Sequence, residues 1–133
     1  MTIAKDAGVQ APSVKRVAFT FADFVSGTAL AVIDLPSDAE VIGGNLVIDT
    51  AFNSATSDTI TVGDKESDSR YKSGINGQTA ASTDLVPTGV ITNNANRRQV
   101  VVKWTGVSTA PSAGAGHLNV VYLQTSRADF IQR

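Results

Sequence analysis

The chain has 133 residues, a formal net charge of −1 and no cysteine. That length fits one domain, and area scaling gives roughly 6,600 Å² folded against about 20,000 Å² unfolded, enough burial for a single core. The near-neutral charge argues against an electrostatic nucleic-acid binder, which carries a basic face or stripe, and the lack of Cys removes both a disulfide framework and a thiolate metal site.

Residues 1–13, MTIAKDAGVQAPS, lack the long apolar run of a secretory signal, and no window approaches the roughly 18 apolar residues of a membrane span. The expectation is a domain made without export and with no membrane partner. Gly8, Pro12 and few large apolar groups make this segment a flexible arm. Fully extended, the arm spans about 43 Å at ~3.3 Å per residue.

The domain expected over 14–126 is a series of short β segments separated by turn chemistry. VAFTF (17–21) alternates Val17, Phe19 and Phe21 with Ala18 and Thr20. ALAVIDL (29–35) is apolar on both faces until Asp34, and Pro36-Ser37 closes it. VIGGNLVID (41–49) puts Ile42, Leu46 and Ile48 on one face, with Gly43-Gly44 marking a bulge or a close backbone approach. DTITVGD (58–64) is the cleanest alternation, with Ile60 and Val62 inward and Thr59 and Thr61 outward.

A weaker segment follows at 69–73, then LVPTGVI (85–91), which Pro87 demotes to an edge or irregular strand. RQVVVKWTG (98–106) aligns Val100, Val102 and Trp104 on one face, and HLNVVYLQT (117–125) is apolar on both faces, as a central strand is. About eight short antiparallel strands with turn signals between them predict an all-β, single-domain sandwich, with the mixture of short and long loops favouring a jelly roll. Beyond the domain, the tail 127–133 carries Phe130 and Ile131, large apolar residues that need something to pack on.

The stretch that most resembles a chemical site is ITVGDKESDSRYKSG (60–74), with Asp64, Glu66 and Asp68 at alternate positions. A calcium loop of the EF-hand type needs Asp or Asn at position three, Gly at six and Glu at twelve, but Glu66, Ser69 and Ile75 stand there. Lys65, Arg70 and Lys72 nearly neutralise the acids, so the expectation is a solvated, charge-mixed turn without a metal. His117 is a lone histidine, which is more often structural than catalytic and excludes a two-His zinc site. Gly106-Val107-Ser108-Thr109-Ala110 lacks the final Gly of a nucleophile elbow, and Gly114-Ala115-Gly116 precedes a strand rather than the helix of a dinucleotide site. No catalytic residue or cofactor is assigned. Trp104 shares the parity of core residues, and Arg97-Arg98 reads as a solvated basic pair.

In order, AVIDLPSDAEVIGGNLVIDTAFNS, TSDTITVGD, a short Arg-Tyr segment and KWTGVSTAPSAGAGHLNVVYLQTSRAD resemble patches of small structural proteins of tailed bacteriophages. The likeness covers about residues 28–128, and the named family it resembles is the head cement, or decoration, protein of short-tailed phages. Such a resemblance implies a jelly-roll sandwich on the outside of an HK97-like capsid, where it bridges neighbouring major capsid subunits as a homodimer in preference to a trimer. It carries over no active-site residues, and it places the chain in the virion after assembly in the bacterial cytoplasm. Candidate contacts with capsid or self are Lys5, Val9 and Pro12 in the arm and Arg127, Phe130 and Ile131 in the tail. The alternative is a carbohydrate-binding module for host glycans on the virion, for which Trp104, Tyr71 and Tyr122 supply scarce material.

Overall fold

The computed structural model describes residues 11–107 and 110–124. Eight strands follow one another: β1 (Ser13–Thr20), β2 (Ala29–Asp34), β3 (Ala39–Thr50), β4 (Ser57–Asp64), β5 (Lys72–Asn76), β6 (Ser82–Asp84), β7 (Gln99–Val107) and β8 (Ala115–Gln124). A 3-10 turn at Phe21–Asp23 and one helical turn, α1 (Ala95–Arg98), are the other regular elements among the described residues. Two four-stranded antiparallel sheets form, in the orders β1-β8-β3-β6 and β2-β7-β4-β5. Strands 1/8, 2/7, 3/6 and 4/5 are each hydrogen-bonded partners. The chain is therefore one long antiparallel ribbon wound into two layers, the jelly-roll pattern that the strand count predicts.

The inward residues meet between the layers. Phe19, Leu46, Ile48, Leu118 and Val120 from one sheet face Ile60, Val62, Val100, Val102 and Trp104 from the other, all buried. The central strands β7 and β8 carry the most continuous apolar sequence, and the alternation read in 58–64 and 98–106 holds residue for residue on the core side. At the open side of the sandwich, Lys15 Nζ on edge strand β1 donates to the Asp34 carbonyl on edge strand β2, tying the two layers together.

Three segments depart from the expected pattern. In β3 the register shifts between Val41 and Gly43, so Val41 is 1% exposed and Ile42 is 40% exposed. The bulge at the glycine pair reverses parity, and Val41, not Ile42, joins Leu46 and Ile48 in the core. Residues 85–91 form no regular strand; the pairing comes earlier, in β6, and this stretch touches β3 through an isolated bridge between Glu40 and Ile91. Pro87 removes a ladder donor there, while buried Thr92 accepts from the Ala39 N–H and donates its hydroxyl to the Pro36 carbonyl. The weak segment at 69–73 is displaced to β5, because Ser67 to Arg70 are used in a turn.

Gly44 has φ +128°, and a Cβ there would collide with the Asn119 backbone of β8, whereas a Cβ on Gly43 meets open space. Gly44→Ala is expected to cost about 2 kcal/mol or more, from backbone strain plus the forced separation of β3 and β8. Gly43→Ala should change stability by less than about 1 kcal/mol. Urea unfolding of the two variants checks this, and equal losses would contradict the close approach.

Candidate functional site

Asp64, the last residue of β4, is fully buried, contrary to the expectation of a solvated turn. One carboxylate oxygen, Oδ1, accepts the backbone N–H groups of Glu66 at 2.9 Å and Ser67 at 2.8 Å. The other, Oδ2, accepts from Arg70 Nε. Burying a carboxylate is tolerable when charge-assisted bonds satisfy its lone pairs, and Arg70 returns six residues later to supply the charge. The turn packs so tightly that a Cβ on Gly63 would collide with the backbone of Ser67, Asp68 and Arg70. Val101, the ladder partner of Gly63 with parity opposite to Val100 and Val102, is also buried, so the loop folds back over the outer face of its own sheet.

The other acids of the loop are engaged as well. Glu66 pairs with Arg70 at 3.3 Å and with Arg97 of α1 at 3.2 Å. The Arg97 guanidinium, ahead of smaller contributions from Asn94 and Arg70, holds the exposed Glu66 carboxyl below its ordinary value. Asp68 pairs with Lys103 of β7 at 3.3 Å. Arg97 is thus committed within the fold rather than solvated, while Arg98 is exposed. Among the described residues, no group of three or more His, Asp or Glu side chains is arranged to hold a metal ion.

A second polar centre lies inside the sandwich. Asp58 Oδ1 accepts the indole N–H of Trp104 at 2.8 Å, and its Oδ2 accepts the Ser54 N–H at 2.9 Å and the Gln78 amide at 3.0 Å. Burial raises the Asp58 pKa, but these hydrogen bonds outweigh it and hold the carboxyl below 3.8. Trp104 stacks on Phe52, which leads through Phe24 to Phe19 in a continuous aromatic row. Trp104, Tyr71 and Tyr122 are all buried, so none offers a platform to a sugar ring. His117 pairs through Nδ1 with Asp49 Oδ2 at 2.8 Å.

Of the expected contact residues, Lys5, Val9, Arg127, Phe130 and Ile131 lie outside the described residues, and Pro12 is exposed just before β1. Ser13 pairs with Tyr122, so the segments preceding β1 and following β8 leave from the same end of one sheet. Val14, 63% exposed, and Ile42 stand on the surface near that end. At the opposite end, Phe21, Phe24, Val25, Trp104, Ala110 and Pro111 line an apolar groove. Sequence reasoning misses both surfaces, since the groove draws on three separated stretches and Ile42 reaches the surface through the bulge.

No protein-family model and no curated protein matches the chain. Solved structures do match it, over nearly its whole length. A chain of the capsid asymmetric unit of cyanophage Pam1 superposes with TM-score 0.69 at 24% identity, covering 92% of this chain and 91% of that one. A chain of the capsid of Ralstonia phage GP4 gives 0.59 at 17% identity, covering 95% and 92%. One from the acid-stable capsid of Helicobacter pylori bacteriophage KHP30 gives 0.61 at 18% identity, covering 89% and 92%. At these identities the shared property is the fold, an end-to-end jelly-roll sandwich found in three phage capsid structures.

Asp64→Ala would leave the Arg70 charge and two turn N–H groups without their acceptor and is expected to cost about 3 kcal/mol, whereas Glu66→Gln at the exposed edge of the network should cost far less. Denaturant unfolding decides, and equal small losses would return the loop to a solvated turn. Burial, with the nearby Asp64 carboxylate, pushes the Tyr71 hydroxyl from 10.0 up to about 12. The folded state therefore holds this proton where the unfolded chain releases it. The stabilisation is complete below pH 10 and is lost as pH rises towards 12, a loss of up to about 2–3 kcal/mol that Tyr71→Phe should remove from the pH profile.

Proposed function

We propose that the chain is a virion structural protein, a cement or decoration protein that binds the outside of an HK97-like capsid and bridges neighbouring major capsid subunits. The observation that carries this reading is the whole-chain fold shared with chains of three phage capsid structures, from phages of hosts as different as cyanobacteria, Ralstonia and Helicobacter pylori. The motif order along 28–128 supports it from the sequence side.

On this reading the buried and paired carboxylates serve structure. Asp58 and Asp64 are saturated by structural hydrogen bonds, and Glu66 and Asp68 are paired with cations. Their work is to hold the sandwich and its folded-back loop rigid. Attachment then falls to surface area and to the two terminal segments, where Lys5, Val9, Pro12, Arg127, Phe130 and Ile131 are the proposed contacts with capsid or with a second copy in a homodimer. Such segments give up chain entropy on docking, and the repetition of each contact over many copies on a shell offsets that loss. The site of action is the capsid surface, after assembly in the host cytoplasm, with neither nucleic acid nor membrane as a partner. The glycan-binding alternative is left without its aromatic side chains.

Heads prepared with and without the protein test the proposal. Heads lacking it are expected to release DNA or rupture at a lower temperature, and the purified protein should restore resistance and co-sediment with them. Equal thermal resistance in both preparations would sink the reading.

A further inference from the structure

We propose that the apolar groove at the Phe21 end of the sandwich receives the C-terminal segment of a second copy of the chain, with Phe130 and Ile131 as the inserted side chains. The groove encloses about 420 Å³ and has no charged residue in its lining. Phe24 and Trp104 form its buried floor, and Val25, 70% exposed, forms its rim. Two backbone hydrogen bonds and one to a serine hydroxyl hold its walls. Gly27 N–H donates to the Trp104 carbonyl at 2.9 Å, Gly106 N–H to Ser26 Oγ at 3.1 Å, and Phe21 N–H to the Gly114 carbonyl at 2.8 Å. A pre-formed apolar pocket floored by aromatic rings suits a Phe edge and a branched aliphatic neighbour, which is the chemistry of Phe130-Ile131.

Chain geometry excludes the molecule's own tail. The β1/β8 ladder runs from Thr20 paired with Ala115, at the groove end, to Ser13 paired with Tyr122. The ten residues of β8 therefore carry the chain about 30 Å away from the groove before Gln124. Phe130 lies six positions beyond Gln124, so its greatest reach back is about 20 Å. The tail falls short of its own groove but is free to enter that of a neighbour. The contact joins the groove of one copy to the tail of another, and two copies that exchange tails reciprocally close the homodimer proposed above, while one-way insertion links copies in a row or a larger ring. This inference stands apart from the capsid reading, because it is tested on the protein alone.

The single tryptophan of the chain lies in the groove, so its fluorescence reports occupancy directly. The receptor is the full chain carrying Phe130→Ala, and the probe is the synthetic peptide TSRADFIQR, matching residues 125–133. Titration into the millimolar range should give a saturable change in Trp104 emission. That response should weaken at least about tenfold for the peptide with Phe replaced by Ala, and likewise for a receptor also carrying Val25→Asp at the exposed rim. No emission change with the native peptide overturns the proposal. So does a response that survives either substitution, or one given instead by a peptide of residues 1–12.

Discussion

The hydrogen bond from the Trp104 indole to buried Asp58 organises one whole end of the molecule. A tryptophan in a core needs a partner for its N–H, and a carboxylate in a core needs donors for both oxygens. Each meets the other's requirement, and the second oxygen of Asp58 collects Ser54 and Gln78, drawing the connections that flank β4 and β5 onto β7. With the indole fixed, Phe52 stacks on it, and Phe24, tilted on Phe52, and Phe19, edge-on to Phe24, continue the row and join the two sheets. The same arrangement leaves the Trp104 and Phe24 rings as the floor of a groove, so the interaction that closes the core also shapes the surface.

Asp64 plays a comparable part on the outer face of the second sheet. Its carboxylate gathers two turn amides and Arg70, and the turn then lies directly on Gly63. Glu66 and Arg97 extend the tie to α1, and Lys103 with Asp68 fastens the loop to β7. Exposed ion pairs of this kind contribute little singly, and their value lies in holding one loop conformation.

The sequence discloses the layers more readily than the surfaces. Alternation over Asp58–Asp64, and the shared parity of Val100, Val102 and Trp104 in β7, reveal the core positions because a period of two puts Ile60, Val62, Val100 and Val102 on the inner face together. The placement of Ile42 fails because a bulge shifts parity by one, which the Gly43-Gly44 pair signals without saying on which side of it the shift falls. The burial of Asp64 escapes the sequence because it depends on Arg70 curling back six residues later. The groove escapes it because Phe21, Trp104 and Pro111 meet only after β1 has been paired with β8 and β2 with β7.

The fold shared with chains of three phage capsid structures is what the proposed capsid role rests on. Electron cryo-microscopy of phage particles made with this chain is the decisive measurement of that role. Density for a two-layer sandwich, with strand orders β1-β8-β3-β6 and β2-β7-β4-β5, is expected on the outer surface of the shell across neighbouring major capsid subunits. A shell whose outer surface carries no such density, with the protein found elsewhere in the particle or not in it at all, would contradict it.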